Sequence, residues 1–323
     1  MEDYLHLHKQ FHLALGELNP ELSQKPVELY EPMSYILSLG GKRLRPILAL
    51  IGCELFNGKI EDAMPAALSV ELFHNFSLIH DDIMDCAPLR RGKETVHKKW
   101  NENIAILSGD AMLVKAYQVL ARSKPNHLPQ LLRLFNKTAI EVCEGQQLDM
   151  NFEKEHQVTI PQYLHMISLK TAVLLGCSLE MGAIAADASF QDRAHLYEFG
   201  RLIGVSFQLK DDILDAFGSA EKVGKQTGGD ILADKKTYLL LKALEIANEK
   251  QREELNSWTG IKEKGKVEAV IKIFEDLNIK LHSEEEASSL YRLALEHLEK
   301  LNISESNKEK LKQFSDWIIN REH

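Results

Sequence analysis

The sequence is poor in residues that interrupt helices. Proline and glycine number 9 and 18 in 323 residues, and no Ser/Gly-rich or low-complexity stretch separates the chain into halves, so no linker is visible and a single domain over residues 1–323 is expected. Cysteine is scarcer still. Cys53, Cys86, Cys143 and Cys177 include no CxxC pair, which excludes a cysteine-built metal centre and reads as reduced thiols in a cytoplasmic protein. Basic residues are outnumbered: 39 Lys and Arg against 48 Asp and Glu leave a net charge of −9. That balance argues against general nucleic-acid binding and against attraction to an anionic membrane, so local basic clusters must matter more than the total. No uncharged run reaches the ~18–20 residues of a transmembrane segment, and the start Met1-Glu2-Asp3-Tyr4 lacks a signal-peptide pattern. Alternating strand-like runs are short, whereas helical periodicity covers most of the length, and the fold class expected is all-α.

What the chain does have is one motif twice. Phe76-Ser77-Leu78-Ile79-His80-Asp81-Asp82-Ile83-Met84-Asp85 returns as Phe207-Gln208-Leu209-Lys210-Asp211-Asp212-Ile213-Leu214-Asp215. On a helix, the first and third carboxylates of each copy lie at i and i+4 and the second and third at i and i+3, which crowds like charges at one helix end. Each copy is flanked by apolar residues, so the carboxylates are expected to project from otherwise buried helices, and six unpaired buried carboxylates would be prohibitive without cations. An all-oxygen donor set with no nearby His or Cys favours magnesium. That ion is usually held by one or two carboxylates together with substrate phosphates. A phosphorylated substrate follows, and facing carboxylates in a helical bundle are one way to build such a site.

Basic residues cluster at a few places. Apolar periodicity from Leu5 to Leu18 and from Pro26 to Leu39 ends at Gly40-Gly41, after which Lys42-Arg43-Leu44-Arg45-Pro46 opens a helix with proline in its first turn. Lys42 and Arg45 share a face beside that helix start, where an anion is favoured. His74 precedes Asp81 by two turns on a long helix from Pro65 to Asp85, and is either an anion ligand or a core histidine. Pro88-Leu89-Arg90-Arg91-Gly92-Lys93 is a turn that brings two guanidiniums near the first motif, a geometry suited to phosphate. Helices over Ile104–Leu120 and Leu128–Asp149 follow, with Gln146 and Asp149 as weak candidates. Lys170-Thr171 interrupts an apolar helix from Leu164 to Ala186, where the lysine must reach outward or face a polar cavity. Residues 218–236 read as a mobile lid, and four amphipathic helices are expected from Leu239 onward.

In their order and spacing, GGKRLRP, HDDIMD with RRG, the KT pair, FQLKDDILD and GK…GGD…DKK resemble the trans-isoprenyl diphosphate synthases, the polyprenyl synthetase family, over about residues 30–240. The resemblance implies an all-helical, usually homodimeric enzyme with a deep central cavity that condenses an allylic diphosphate with isopentenyl diphosphate under magnesium. It places three magnesium ions on Asp81, Asp85 and Asp211, supported by Asp82, Asp212 and Asp215. It also places Arg90, Lys170, Lys225 and Lys235 on the allylic diphosphate and Lys42, Arg45, His74 and Arg91 on isopentenyl diphosphate. Thr171 and Gln208 would face the reacting carbons. Arg321 belongs to a C-terminal basic cluster that is reduced here to Arg321-Glu322-His323.

Product length depends on what lies beneath the first motif. Ser77, one turn below Asp81, leaves room for a growing chain, whereas Phe76 and Phe73 are bulky and could form a floor. An aromatic five residues before an uninterrupted DDxxD, with a small residue at four, resembles the geranylgeranyl-forming type. A twenty-carbon product is expected, with fifteen carbons the alternative. A class I terpene cyclase would normally carry an Asn/Ser/Glu-type second motif, and a non-catalytic partner subunit or metal-binding scaffold would not need intact aspartates, basic residues and lid.

Overall fold

The computed structural model describes residues 4–155, 157–218, 228–261, 263 and 265–319, in a chain that divides into two compact units. The first takes Met1–Lys137 and Cys177–Tyr197, the second Thr138–Gly176 and Glu198–His323. The all-α expectation holds. Among the described residues the only sheet is a hairpin of two-residue strands, β1 Leu89–Arg90 antiparallel to β2 Lys93–Glu94.

In the first unit α1 (Leu5–Glu17), α2 (Val27–Ser38), α3 (Leu44–Glu54), α4 (Ile60–Met84), α5 (Val96–Lys99) and α6 (Glu102–Leu120) lead into α7 (Leu128–Lys154). α4 is the centre of this unit and packs on α3 and α6. Its residues Ala63, Ala66, Ala67, Val70 and Leu72 are all buried, the pattern of a helix enclosed by others rather than lying on a surface. α4 begins at Ile60, ahead of the expected Pro65. The prolyl ring gives up one internal hydrogen bond, and Glu61 and Asp62 in the first turn complement the helix dipole.

The second unit contains α8 (Ile160–Ile167), a π-helical turn at Ser168–Ala172 and the start of α9 (Val173–Ala185), then α10 (Phe190–Phe217) from Glu198 on. α11 (Gly229–Leu232), α12 (Tyr238–Ile246), α13 (Glu249–Ser257), α14 (Lys266–Asp276), α15 (Ile279–Glu299) and α16 (Glu305–Ile319) follow. Among the described residues, five helices from Tyr238 onward replace the expected four. Asn248 is the reason: its side chain accepts the Gln251 N–H at 2.9 Å and Gln251 returns a bond to the Asn248 backbone, which starts a new helix directly after α12. α10 is held by two apolar clusters in turn. Val205 and Leu209 join Phe152, Tyr163, Met166 and Tyr238, while Ile213 and Ala216 join Leu239, Val270, Ile273 and Phe274.

The run Ile160–Ala185 is long and apolar enough by composition to cross a membrane, but 78% of its most apolar window is buried inside the protein. A cavity of about 1090 Å³ in the second unit, lined in part by Val158, Ile160, Tyr238 and Leu241, includes none of the motif aspartates.

Candidate active site

α4 ends in the first aspartate motif. Asp81 and Asp85 stand one turn apart, with Asp85 exposed, while Asp82, about 100° further round the helix, points inward and is 1% exposed. Arg90 meets that inward carboxylate. Its Nε donates to the two Asp82 oxygens at 2.8 and 3.0 Å and its Nη2 at 2.7 Å, and it lies 3.5 Å from Asp81. The β1–β2 turn delivers it, with Arg91 and Gly92 at φ 53° and 74°, the left-handed pair that a tight hairpin requires. Burial raises the Asp82 carboxyl above its usual range, although Arg90 pulls the other way. His97 of α5, buried and with neither ring nitrogen hydrogen-bonded, lies within electrostatic range of the same carboxylate.

At the start of α3 the basic run divides its labour. Arg43 adopts a left-handed backbone (φ 49°), is buried, pairs with buried Glu71 and donates to the Leu37 carbonyl. Asn75 Nδ2 donates to Glu71 Oε1 at 2.8 Å. Arg43 therefore holds the turn together, with exposed Lys42 on one side and half-buried Arg45 beyond it. Arg45 Nη1 donates to His74 Nε2 at 3.1 Å, which requires a neutral imidazole. Burial keeps the His74 pKa well below its ordinary value, and Arg45, Arg91, Arg90 and Arg43 act in the same direction. Burial also brings Arg45 down to about 10. Arg91 folds over Gly41 and donates to the Gly40 carbonyl. Positive charge from Arg45 and Arg91 gathers beside this neutral imidazole, a combination suited to an anion, while Arg43 and Arg90 are paired with Glu71 and Asp82.

In the second unit α10 ends in the second motif. Asp212 is 4% exposed, accepts the Tyr163 hydroxyl on Oδ2 and receives Gln208 Nε2 on Oδ1 at 3.3 Å. Asp215 Oδ2 accepts the Asp230 N–H at 3.0 Å, and the Gly228 N–H meets the Asp215 carbonyl at 2.7 Å. Lys170 and Thr171 lie in the π turn, a local widening that recurs at functional sites. Lys170 is half-buried and donates to Asp149 Oδ2 at 2.5 Å, so the apolar helix carries its lysine as an ion pair. Gly145 of α7 packs so tightly on this turn that a Cβ would come within 2.6 Å of Lys170 Cα. Lys235 is exposed, 3.7 Å from Asp230. Lys225, Arg321 and residues 219–227 of the expected lid lie outside the described residues.

Six buried carboxylates were expected, and the burial falls instead on the middle residue of each motif. The reason is angular: the i and i+4 members share one helix face, and the i+1 member is turned into the packing. Among the described residues no three Asp, Glu, His or Cys side chains form a ready-made cage. Magnesium does not need one, because water and phosphate oxygens complete its octahedron. Asp81 and Asp85, and in the second unit Asp211 and Asp215, supply all-oxygen donors suited to it, whereas Asp82 and Asp212 are engaged by Arg90 and Tyr163. Neither α4 nor α10 has a basic residue in its last turn, although carboxylates there oppose the helix dipole. A cation relieves that opposition.

Sequence reasoning missed Tyr163, Arg43, Glu71 and His97. Arg43 stood in the KRLRP run, but its burial follows from a left-handed turn that no neighbouring residue announces.

Asp212 gives a pH dependence. Burial pushes its carboxyl up to about 8, against the opposing hydrogen bonds from Tyr163 and Gln208. An unfolded aspartate titrates near ~4, so between roughly pH 4 and 8 the folded chain holds a proton that the unfolded chain has lost, and stability falls as pH rises through that window. Asp212→Asn is expected to flatten this slope in chelator, read from denaturation midpoints at several pH values. An unchanged slope would remove Asp212 as its origin.

Comparison with known proteins identifies the family. The polyprenyl synthetase family model matches residues 26–277. A short chain isoprenyl diphosphate synthase of Methanothermobacter thermautotrophicus is 40% identical over 92% of this chain and 92% of its own. A geranylgeranyl diphosphate synthase of Methanosarcina mazei is 38% identical over 96% and 94%. A crystal structure of a geranylgeranyl pyrophosphate synthase superposes with a TM-score of 0.93 at 45% identity, covering 98% of each chain. With both aspartate motifs, the RRG hairpin and the lysine-bearing π turn all inside the matched span, the chain belongs to the polyprenyl synthetase family.

Proposed function

We propose that this chain is a magnesium-dependent short-chain trans-prenyltransferase that condenses isopentenyl diphosphate with allylic diphosphates and stops at geranylgeranyl diphosphate. What supports the reaction type most strongly is that α4 and α10 each end in aspartates, with no basic residue in either last turn. Asp81, Asp85 and Asp211 hold three magnesium ions with Asp82, Asp212 and Asp215 in support, and when bound the ions supply charge stabilisation for the departing diphosphate. Arg90, Lys170, Lys225 and Lys235 bind the same allylic diphosphate. Lys42, Arg45, His74 and Arg91 bind isopentenyl diphosphate, and the neutral His74 adds a hydrogen-bonding group without a further charge. Thr171 and Gln208 stand at the reacting carbons, where fixed positions replace a bimolecular encounter. The protein base for the final proton is absent from this list, and the released diphosphate takes that proton.

The two units act as one catalytic domain of a soluble, cytoplasmic enzyme. Its partner is a second copy: α6 leaves Ile106, Leu107 and Val114 exposed, at 43%, 60% and 56%, and apolar residues grouped on one helix suit a subunit contact.

Product length rests on Phe76. Its ring is half-buried, 4.8 Å from His80 and 5.6 Å from Phe73, and Phe73 is itself buried against Phe135 at 5.3 Å. Phe73 backs the floor and Phe76 presents it, with Ser77 tied to the His74 carbonyl at 2.8 Å. Phe76→Ala is expected to shift products beyond twenty carbons, and unchanged lengths would exclude the ring as a stop. The reading as a whole is tested by incubating the protein with magnesium, isopentenyl diphosphate and five-, ten- or fifteen-carbon allylic diphosphates, then identifying the dephosphorylated products by mass. A linear twenty-carbon alcohol is expected. A fifteen-carbon stop would make it a farnesyl diphosphate synthase, cyclic hydrocarbons a terpene cyclase, and no consumption a non-catalytic subunit.

A further inference from the structure

Lys266 opens α14, far in sequence from every motif, yet its side chain is only 2% exposed and its Nζ lies 2.6 Å from Asp234 Oδ1. It shares a pocket of about 30 Å³ with Trp258, Val270 and Phe274. An ammonium in such surroundings is tolerated only while its carboxylate stays in place. Asp234 is therefore pinned. Its second oxygen accepts the Gly260 N–H at 3.1 Å, and its backbone is left-handed at φ 55°, a conformation that a non-glycine residue keeps only when its surroundings impose it.

From this fixed point a continuous set of bonds runs to the second aspartate motif. The Lys235 N–H donates to the Asp230 carbonyl at 2.9 Å and the Thr237 N–H to the Lys235 carbonyl at 3.0 Å. The Asp230 N–H reaches Asp215 Oδ2 at 3.0 Å. α11 packs on α14, and at its start Gly228, φ 79°, lies so close to Val267 that a side chain would collide with it. Residues 228–237 form a bracket with one end on α14 and the other on Asp215, and Lys235 stands on its arm.

We infer that Lys266, acting through Asp234, is a positioning residue that fixes Lys235 and the Asp230–Asp215 contact for the allylic diphosphate. The inference rests on the prenyltransferase reading above. Displacement of a binding group by about 1 Å can cost up to ~100-fold, and here the cost falls on one substrate.

The test is steady-state kinetics of Lys266→Met, Lys266→Arg, Asp234→Asn and the double variant Lys266→Met/Asp234→Asn, varying farnesyl diphosphate and isopentenyl diphosphate separately. Lys266→Met and Asp234→Asn are expected to raise the KM for farnesyl diphosphate by about tenfold while the KM for isopentenyl diphosphate stays within about twofold. Lys266→Arg restores most of the loss, and the double variant is no worse than the worse single one. A lowered melting temperature with both KM values unchanged, equal rises in both KM values, or additive losses in the double variant would overturn the inference. If Lys266→Met does not fold, Asp234→Asn and Lys266→Arg decide by the same KM split. An inactive wild type would instead count against the prenyltransferase reading itself, and the bracket then has no substrate to serve.

Discussion

Asp81→Asn is expected to lower turnover at saturating magnesium by about 10²–10³-fold, the usual cost of removing one group that stabilises charge developing in a transition state. The substitution keeps size and helix propensity while removing a charge that lies one turn from Asp85 and at the negative end of α4. Relief of that repulsion means the variant should fold at least as well in chelator as the unmodified protein. The measurement is steady-state turnover beside a melting curve in chelator. Full turnover would show that the carboxylate has no part in the chemistry. Lost turnover with a lowered melting temperature would show that Asp81 is structural.

Gly145→Val is expected to damage the enzyme from outside the motifs. Any Cβ at this position meets the backbone of Leu169 and Lys170, with Leu169 C at 2.7 Å, and backbone cannot swing aside as a flexible side chain can. Overpacking of this kind costs typically ~1–3 kcal/mol of stability. The larger effect is on catalysis, because the turn that must move carries Lys170 and Thr171 and is held by the Lys170–Asp149 pair. Activity should fall by about 100-fold, in line with a shift of ~1 Å in a positioned group, and the retained helical signal would show that the fold survives. Unchanged kinetics in a folded variant would mean that the π turn has slack.

Much of this could be read from the chain. Period and the scarcity of breakers gave the helices, and Gly40-Gly41 and Pro46 marked the end of α2 and the start of α3 because their backbone preferences are local. The repeated aspartates were legible for the same reason, since i, i+4 spacing alone places two carboxylates on one face. What stayed hidden depends on which way a face is turned. Nothing in DDIMD says that Asp82 is inward and held by Arg90, nor in KRLRP that the middle arginine is the buried one. Tyr163 is an ordinary aromatic in sequence and becomes relevant only through its bond to Asp212. The extra helix start at Asn248 is written as a capping box, Asn248 with Gln251, but both flanking segments are amphipathic, so periodicity alone runs them together.

On the function proposed above, both aspartate motifs are needed to hold one diphosphate through magnesium. The most direct test is calorimetric titration of inorganic diphosphate into the unmodified protein, Asp81→Asn and Asp211→Asn, each with magnesium and with chelator. Binding to the unmodified protein that requires magnesium and is lost in both variants is the predicted result. Equal binding in chelator, or in either variant, would contradict it.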